Sequence, residues 1–314
     1  MDHGWVIDLL PSRGLDQSIL IAVLLGMWVL LAFTEFFGWV FIGVVVPGYL
    51  ASVLVISPTT AFAIIVEALI SLFFSRLLAQ TLNKTGAWTH FFGRDRFFLI
   101  VLVSVFIRQF DQTWLIPELT LFLRDHGWPD LDLQTDFSSI GLVLVPLAAN
   151  MFWKLNVFRG FVQISTVVGL TYAGLRWGLL PLTNLSYSSF ELTYEDSAIN
   201  FIANGKSYII MLSTAYVAGV VNLRYGWDFG GILVAALLAL LWPTPTKLAL
   251  TLIESIILLG TMKAFVRLPV IRNLNLEGPR KVCTVFTLAF LLKWAIGFSI
   301  GNHFPGLKIT DLFA

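Results

Sequence analysis

The sequence predicts an all-α, polytopic integral membrane protein of about ten transmembrane helices. Three observations carry that prediction. Of 314 residues, 57% are hydrophobic and only 12% charged; apolar windows recur along the whole chain; and Lys and Arg gather in every second connection. The mean hydropathy of +0.84 stands well above that of a soluble domain, in which about a quarter of residues carry charge. A net charge of +1 supplies no concentrated basic face, so nucleic acid is not an expected partner.

With about 20 residues per crossing as the yardstick, the windows fall at 18–35, 40–57, 59–82, 97–116, 137–153, 159–180, 207–222, 229–242, 246–266 and 282–301. Loops 83–96, 154–159, 223–228 and 263–281 hold 11 of the 20 Lys and Arg, while the intervening loops and both tails hold five. By the positive-inside rule the first set is cytoplasmic and both termini lie outside. Asp2, Asp8 and Asp16 precede the first window in place of a basic n-region, so the start does not read as a removable signal peptide.

The second window carries Pro47-Gly48 at its centre, a pair that removes a backbone donor and loosens a helix. At membrane depth such a defect needs protein or a polar cavity to satisfy the freed backbone. Two readings stay open: a broken helix whose backbone lines a passage, or Gly43 and Gly48 allowing close helix packing. A re-entrant hairpin at the same place would invert the N-terminus.

Residues 37–51, FGWVFIGVVVPGYLA, recur as YGWDFGGILVAALLA at 225–239. Gly38, Trp39, Gly43 and Ala51 return as Gly226, Trp227, Gly231 and Ala239, an offset of 188; after short gaps, Glu67 returns as Glu254 and Arg108 as Lys293. Rare charged residues coinciding in apolar segments argue for an internal repeat of 37–110 with 225–298. A shorter echo, IGLVLVPLAAN at 140–150, places Pro146 and Asn150 in the same frame. Triplets of spans that begin on opposite sides would be inverted repeats, the organisation of many transporters.

Glu67, Arg108, Glu254 and Lys293 lie inside predicted spans, where each charge costs about 2.5–3.5 kcal/mol on insertion scales. They must face protein or water. Either they form two interhelical ion pairs, Glu67–Arg108 and Glu254–Lys293, or the cations line a path for carboxylates. Glu35 and Asp111 stand nearer the interfaces and read as solvated. The four His are scattered and Cys283 is the sole cysteine, so neither a metal site nor an internal disulfide is expected, and no cofactor motif is evident. Trp residues near span ends read as an aromatic belt.

The run Phe33-x-Glu35-x-x-Gly38-x-Val40-x-x-Gly43-x-Val45-Val46-Pro47-Gly48-Tyr49-Leu50, followed later by Gly93-Arg94-x-Arg96-Phe97, resembles the membrane subunit of poly-γ-glutamate capsule synthesis, the PgsC/CapC family. The likeness covers about 18–176, with 207–301 as a repeat-like C-terminal region and one transmembrane domain over 1–314. Pro146 is followed by Leu147, so the family's second Pro-Gly is absent here. The resemblance implies a bacterial inner-membrane protein, not catalytic alone, that partners a cytoplasmic ATP-dependent amide ligase and other membrane subunits. It also implies a role with an anionic peptide polymer. Arg94, Arg96, Arg280 and Lys281 offer the ligase a basic docking face. Two other classes fit the same helices: an anchor for ATP-grasp or transglutaminase-like peptide-modifying proteins, and an ion-coupled secondary transporter.

Overall fold

In the computed structural model the apolar windows become helices. The structure describes residues 7–11, 15–41, 43–86, 94–118, 121, 141–187, 206–226, 232–269, 271 and 276–303. Among them no strand forms, and the one β contact is an isolated bridge from Ile7 to Thr183. Helices α1 (Leu20–Phe37), α2 (Val46–Ile56), α3 (Pro58–Lys84), α4 (Arg94–Phe110) and α5 (Gly141–Lys154) occupy the first five windows. Helices α6 (Val157–Ala173), α7 (Lys206–Tyr225), α8 (Ile232–Leu240), α9 (Pro245–Val266) and α10 (Gly278–His303) occupy the rest. A π-helical turn, Asp111–Leu115, prolongs α4, and another, Gly174–Leu179, prolongs α6.

Among the described residues, five segments are long and apolar enough to cross a membrane: α1, α3, α4 with its extension to Glu118, α9 and α10. Their limits follow local chemistry. Gly38 adopts φ 65 and donates its N–H to Thr34, ending α1 in a left-handed cap that glycine enters without penalty. Gly226 takes φ 63 at the end of α7. Pro58 and Pro245 open α3 and α9, where the missing N–H needs no partner. The Ser57 hydroxyl accepts from the Thr60 N–H and caps α3.

The window 40–57 differs from a helix broken at its centre. Pro47 and Gly48 stand in the first turn of α2, and the break lies before them, where Gly43 adopts φ 69. Proline is tolerated there for the same reason as at Pro58. Pro146 also breaks nothing. It sits inside a continuous α5, which gives up one backbone bond at that point.

The chain divides into two compact units. The first comprises residues 1–56, 162–196 and 244–314, and the second 57–161 and 197–243. In the first, α1 packs on α2 and on α10, while α9 packs on α10. The α1–α2 crossing is a backbone contact: a Cβ on Gly48 would lie 2.3 Å from Val23 Cα, and one on Gly26 would lie 2.6 Å from Gly48 N. Asn184, beyond α6, exchanges two hydrogen bonds with the Leu10 backbone, and the Trp294 indole donates to the Leu9 carbonyl.

In the second unit α3, α4 and α5 pack against one another, and α7 packs on α4 and α8. Trp153, near the end of α5, packs at the cluster of Ala79, Leu99 and Val103. That places the C-terminal end of α5 beside the end of α3 and the start of α4. Since α5 packs along α3, the two helices run parallel. A second cluster joins Val101 and Val105 of α4, Met211 of α7 and Ala236 of α8. The acidic loop 117–136 and the loop 181–206 fall mostly outside the described residues, as do Gly93, Trp227 and Gly231.

Candidate functional site

Both interhelical pairs form. In the second unit Arg108 Nη1 of α4 donates to Glu67 Oε1 of α3 at 2.6 Å, with the side chains 3% and 8% exposed. The contact follows from sequence. Thr60, Ile64, Glu67, Ser71, Ser75 and Ala79 are buried along one stripe of α3, spaced three and four apart as a single helix face requires. The hairpin to α4 then brings Arg108 opposite Glu67.

Asp111 was expected near an interface and solvated. It is instead 8% exposed, one turn past Arg108 at the start of the π-helical turn, and it interacts electrostatically with Arg108 and Glu67. Its burial comes from packing, which an apolar-window count cannot register. The buried hydroxyls of Ser71 and Ser75 were also missed. Their signal was legible as Glu67-x-x-x-Ser71-x-x-x-Ser75, a four-residue spacing that lines one face.

In the first unit Lys293 Nζ of α10 lies 3.3 Å from Glu254 Oε1 of α9, with exposures of 13% and 14%. This pair is longer and more open. The expected docking residues divide three ways. Arg280 is held by Glu35 of α1, Nε donating to Oε1 at 2.8 Å and Nη2 to Oε2 at 2.5 Å. Lys281 is exposed, Arg96 is half-buried with its Nε inside the protein, and the Arg94 side chain lies outside the described residues.

Of the expected broken-helix residues, Gly43 supplies a left-handed turn and Gly48 a backbone-close crossing. Pro146 is buried, and Asn150 has its Oδ1 inside the protein. The structure brings Glu67 and Arg108 together within the second unit and Glu254 and Lys293 within the first. Gly43, Pro47 and Gly48 belong to the first unit, and Pro146 and Asn150 to the second.

Over the described residues, long apolar helices tied by ion pairs, one of them buried, define an all-helical membrane protein. Its sequence matches the family of capsule biosynthesis protein CapC over residues 25–161 and 214–314. The chain belongs to that family and so to capsule biosynthesis. The likeness expected over 18–176 thus reaches into the C-terminal region as well. Nothing matches among the curated proteins or among the solved structures.

Proposed function

We propose that this chain is a multi-pass subunit of a complex that makes and exports an anionic, γ-linked peptide of the poly-γ-glutamate type, in the bacterial inner membrane. The observation that carries the reading is the family match over both parts of the chain, on helices fit to cross a bilayer. Bond formation belongs to a cytoplasmic ATP-dependent amide ligase. The two ion pairs tie helix hairpins in register, and exposed Lys281 with its basic neighbours faces the ligase. Arg280, already bonded to Glu35, contributes less to that face.

In this reading all ten helices serve the crossing, and α1–α4 and α7–α10 are two copies of one block. Helix α2, about 16 Å long, covers half of a hydrocarbon core of about 30 Å and needs residues 39–45 for the rest. Several correspondences support the duplication. Gly38 and Gly226 share a left-handed cap, and Pro58 and Pro245 share the first helical turn. Val23 meets Gly48 in one unit as Met211 meets Ala236 in the other, all at the offset of 188. Helix α1 packs on α10 as α7 packs on α4. Each unit therefore joins the first two helices of one copy to the last two of the other.

The test is surface polymer. Cells that retain the ligase but lack this chain are expected to lose polymer at the surface, and affinity capture of the chain is expected to recover the ligase. Unchanged surface polymer would refute the role. For the crossings, cysteines at Thr85, Thr135 and Ser188 in a Cys283→Ser background are expected to react with an impermeant reagent only at the latter two. Labelling at Thr85 alone would reverse the orientation.

A further inference from the structure

Beyond its tie to Arg108, Glu67 has a second oxygen, and that oxygen has no hydrogen-bond partner among the described residues. Glu67 Oε2, Ser71 Oγ, Ser75 Oγ and Asn150 Oδ1 are all buried without a protein hydrogen bond, and Ser71 and Ser75 are fully buried. The three α3 residues lie on one face over about 12 Å. Asn150 precedes Trp153 by three residues and so shares its face, towards α3 and α4. Because α5 runs parallel to α3 and Trp153 packs at Ala79, Asn150 stands about one turn nearer mid-α3, level with Ser75. The four oxygens thus line one seam where α3 meets α4 and α5.

Small residues at this spacing also serve close helix packing, but packing does not explain the hydroxyls. A helical Ser or Thr in an apolar setting returns its hydroxyl to a carbonyl three or four residues earlier. Thr34, Thr81, Ser104, Thr171, Thr251 and Thr287 of this chain do so. Ser71 and Ser75 do not. Buried polar atoms without a protein partner require water or an ion, at about 1–3 kcal/mol apiece if unmet. The unmet amide oxygen and an ionised Glu67 accept, while the serine hydroxyls both donate and accept, a mixture that suits proton-carrying water. Asp111 continues the series beyond Glu67, in a π-helical turn of the kind that recurs at functional sites.

We propose that this seam is a proton relay, in which water held by Ser71, Ser75 and Asn150 connects Glu67 to the level of half-buried Arg76 beside Trp153, and Asp111 connects it to the opposite side. A carboxyl that alternately takes and releases a proton is the usual carrier in membrane pumps and transporters. The charged groups at the seam are Glu67, Arg108 and Asp111, with Arg76 at its far end stacked on Trp153 at 5.6 Å. The inference does not depend on the ligase partnership.

The full-length chain would be reconstituted in liposomes of phosphatidylethanolamine and phosphatidylglycerol enclosing a pH-sensitive dye, with a potassium gradient and valinomycin to drive proton entry. The wild type is expected to acidify the lumen faster than protein-free liposomes, in sodium-free buffer. Ser71→Ala with Ser75→Ala is expected to abolish that excess while leaving the unfolding temperature unchanged or raised, and Glu67→Gln to abolish it as well. No excess flux in the wild type, full flux in the serine double variant, or flux that requires sodium would each overturn the proposal. Unfolding of the serine variant would overturn it too, because it would make Ser71 and Ser75 supports of the fold in place of carriers in a relay.

Discussion

The two units solve one problem with different degrees of closure. In the second, where α3, α4 and α5 pack together, α3 buries nine residues and the Glu67–Arg108 pair is buried. In the first, α9 buries only Met262, and the Glu254–Lys293 pair sits on a hairpin with open flanks. A guanidinium inside a three-helix seam has nowhere else to go, whereas an ammonium on a flexible stem can snorkel along an open face. Positions that the proposed duplication makes equivalent therefore carry different energetic weight, decided by what packs over them.

The largest expected effect separates the two pairs. Arg108→Gln leaves a buried carboxylate without its cation and is expected to destabilise by about 3–5 kcal/mol. Lys293→Gln is expected to cost about 0.6–1.7 kcal/mol, the scale of polar contacts between membrane helices. Unfolding in a graded mixed-micelle titration reads both, and equal losses would erase the distinction between the units. Exchanging the partners, Glu67→Arg with Arg108→Glu, is expected to recover part of the loss if the pair acts as a tie.

A middle-sized effect concerns the helix crossings. Gly48→Ala places a methyl against the Val23 backbone, which no side-chain rotation relieves, and is expected to cost about 1–3 kcal/mol through separation of α1 and α2. At the corresponding site, Ala236→Gly removes a methyl and adds chain entropy, for about 1 kcal/mol. Disulfide cross-linking between cysteines placed on α1 and α2 would sharpen this. Retained cross-linking in Gly48→Ala would show that the crossing tolerates a methyl.

The smallest effect belongs to Arg280→Gln. Its bond to Glu35 is exposed, and exposed pairs contribute little, so the unfolding midpoint is expected to stay unchanged at any ionic strength. A clear drop would make this pair structural and bring the first unit closer to the second.

The positions of the helices were legible because lipid demands long apolar runs, and both ion pairs were legible because a charge in such a run must find a partner. The break in window 40–57 was misplaced by several residues. Pro47 looked disruptive only while the helix start was unknown, and a left-handed Gly43 carries no signature beyond being glycine. Asp111, Ser71 and Ser75 escaped for another reason. Burial of a polar group near a helix end, or of a hydroxyl within a span, depends on which neighbours cover it, and α5, which packs on α3, lies more than 60 residues further along the chain than Ser71 and Ser75.

The order in which the units are completed follows from the way the chain crosses between them. The first unit starts with α1 and α2 but cannot close until residues 244–314 have been made. At about 5–20 residues per second the ribosome takes roughly 10–40 s to reach them from Ile56. Over that interval the second unit, contained within 57–243, can assemble first. Helices α1 and α2 must wait, held to each other at Gly26 and Gly48. A nascent chain arrested near residue 243 should thus carry a finished Glu67–Arg108 seam while the first unit has only its glycine crossing to hold α1 and α2 together.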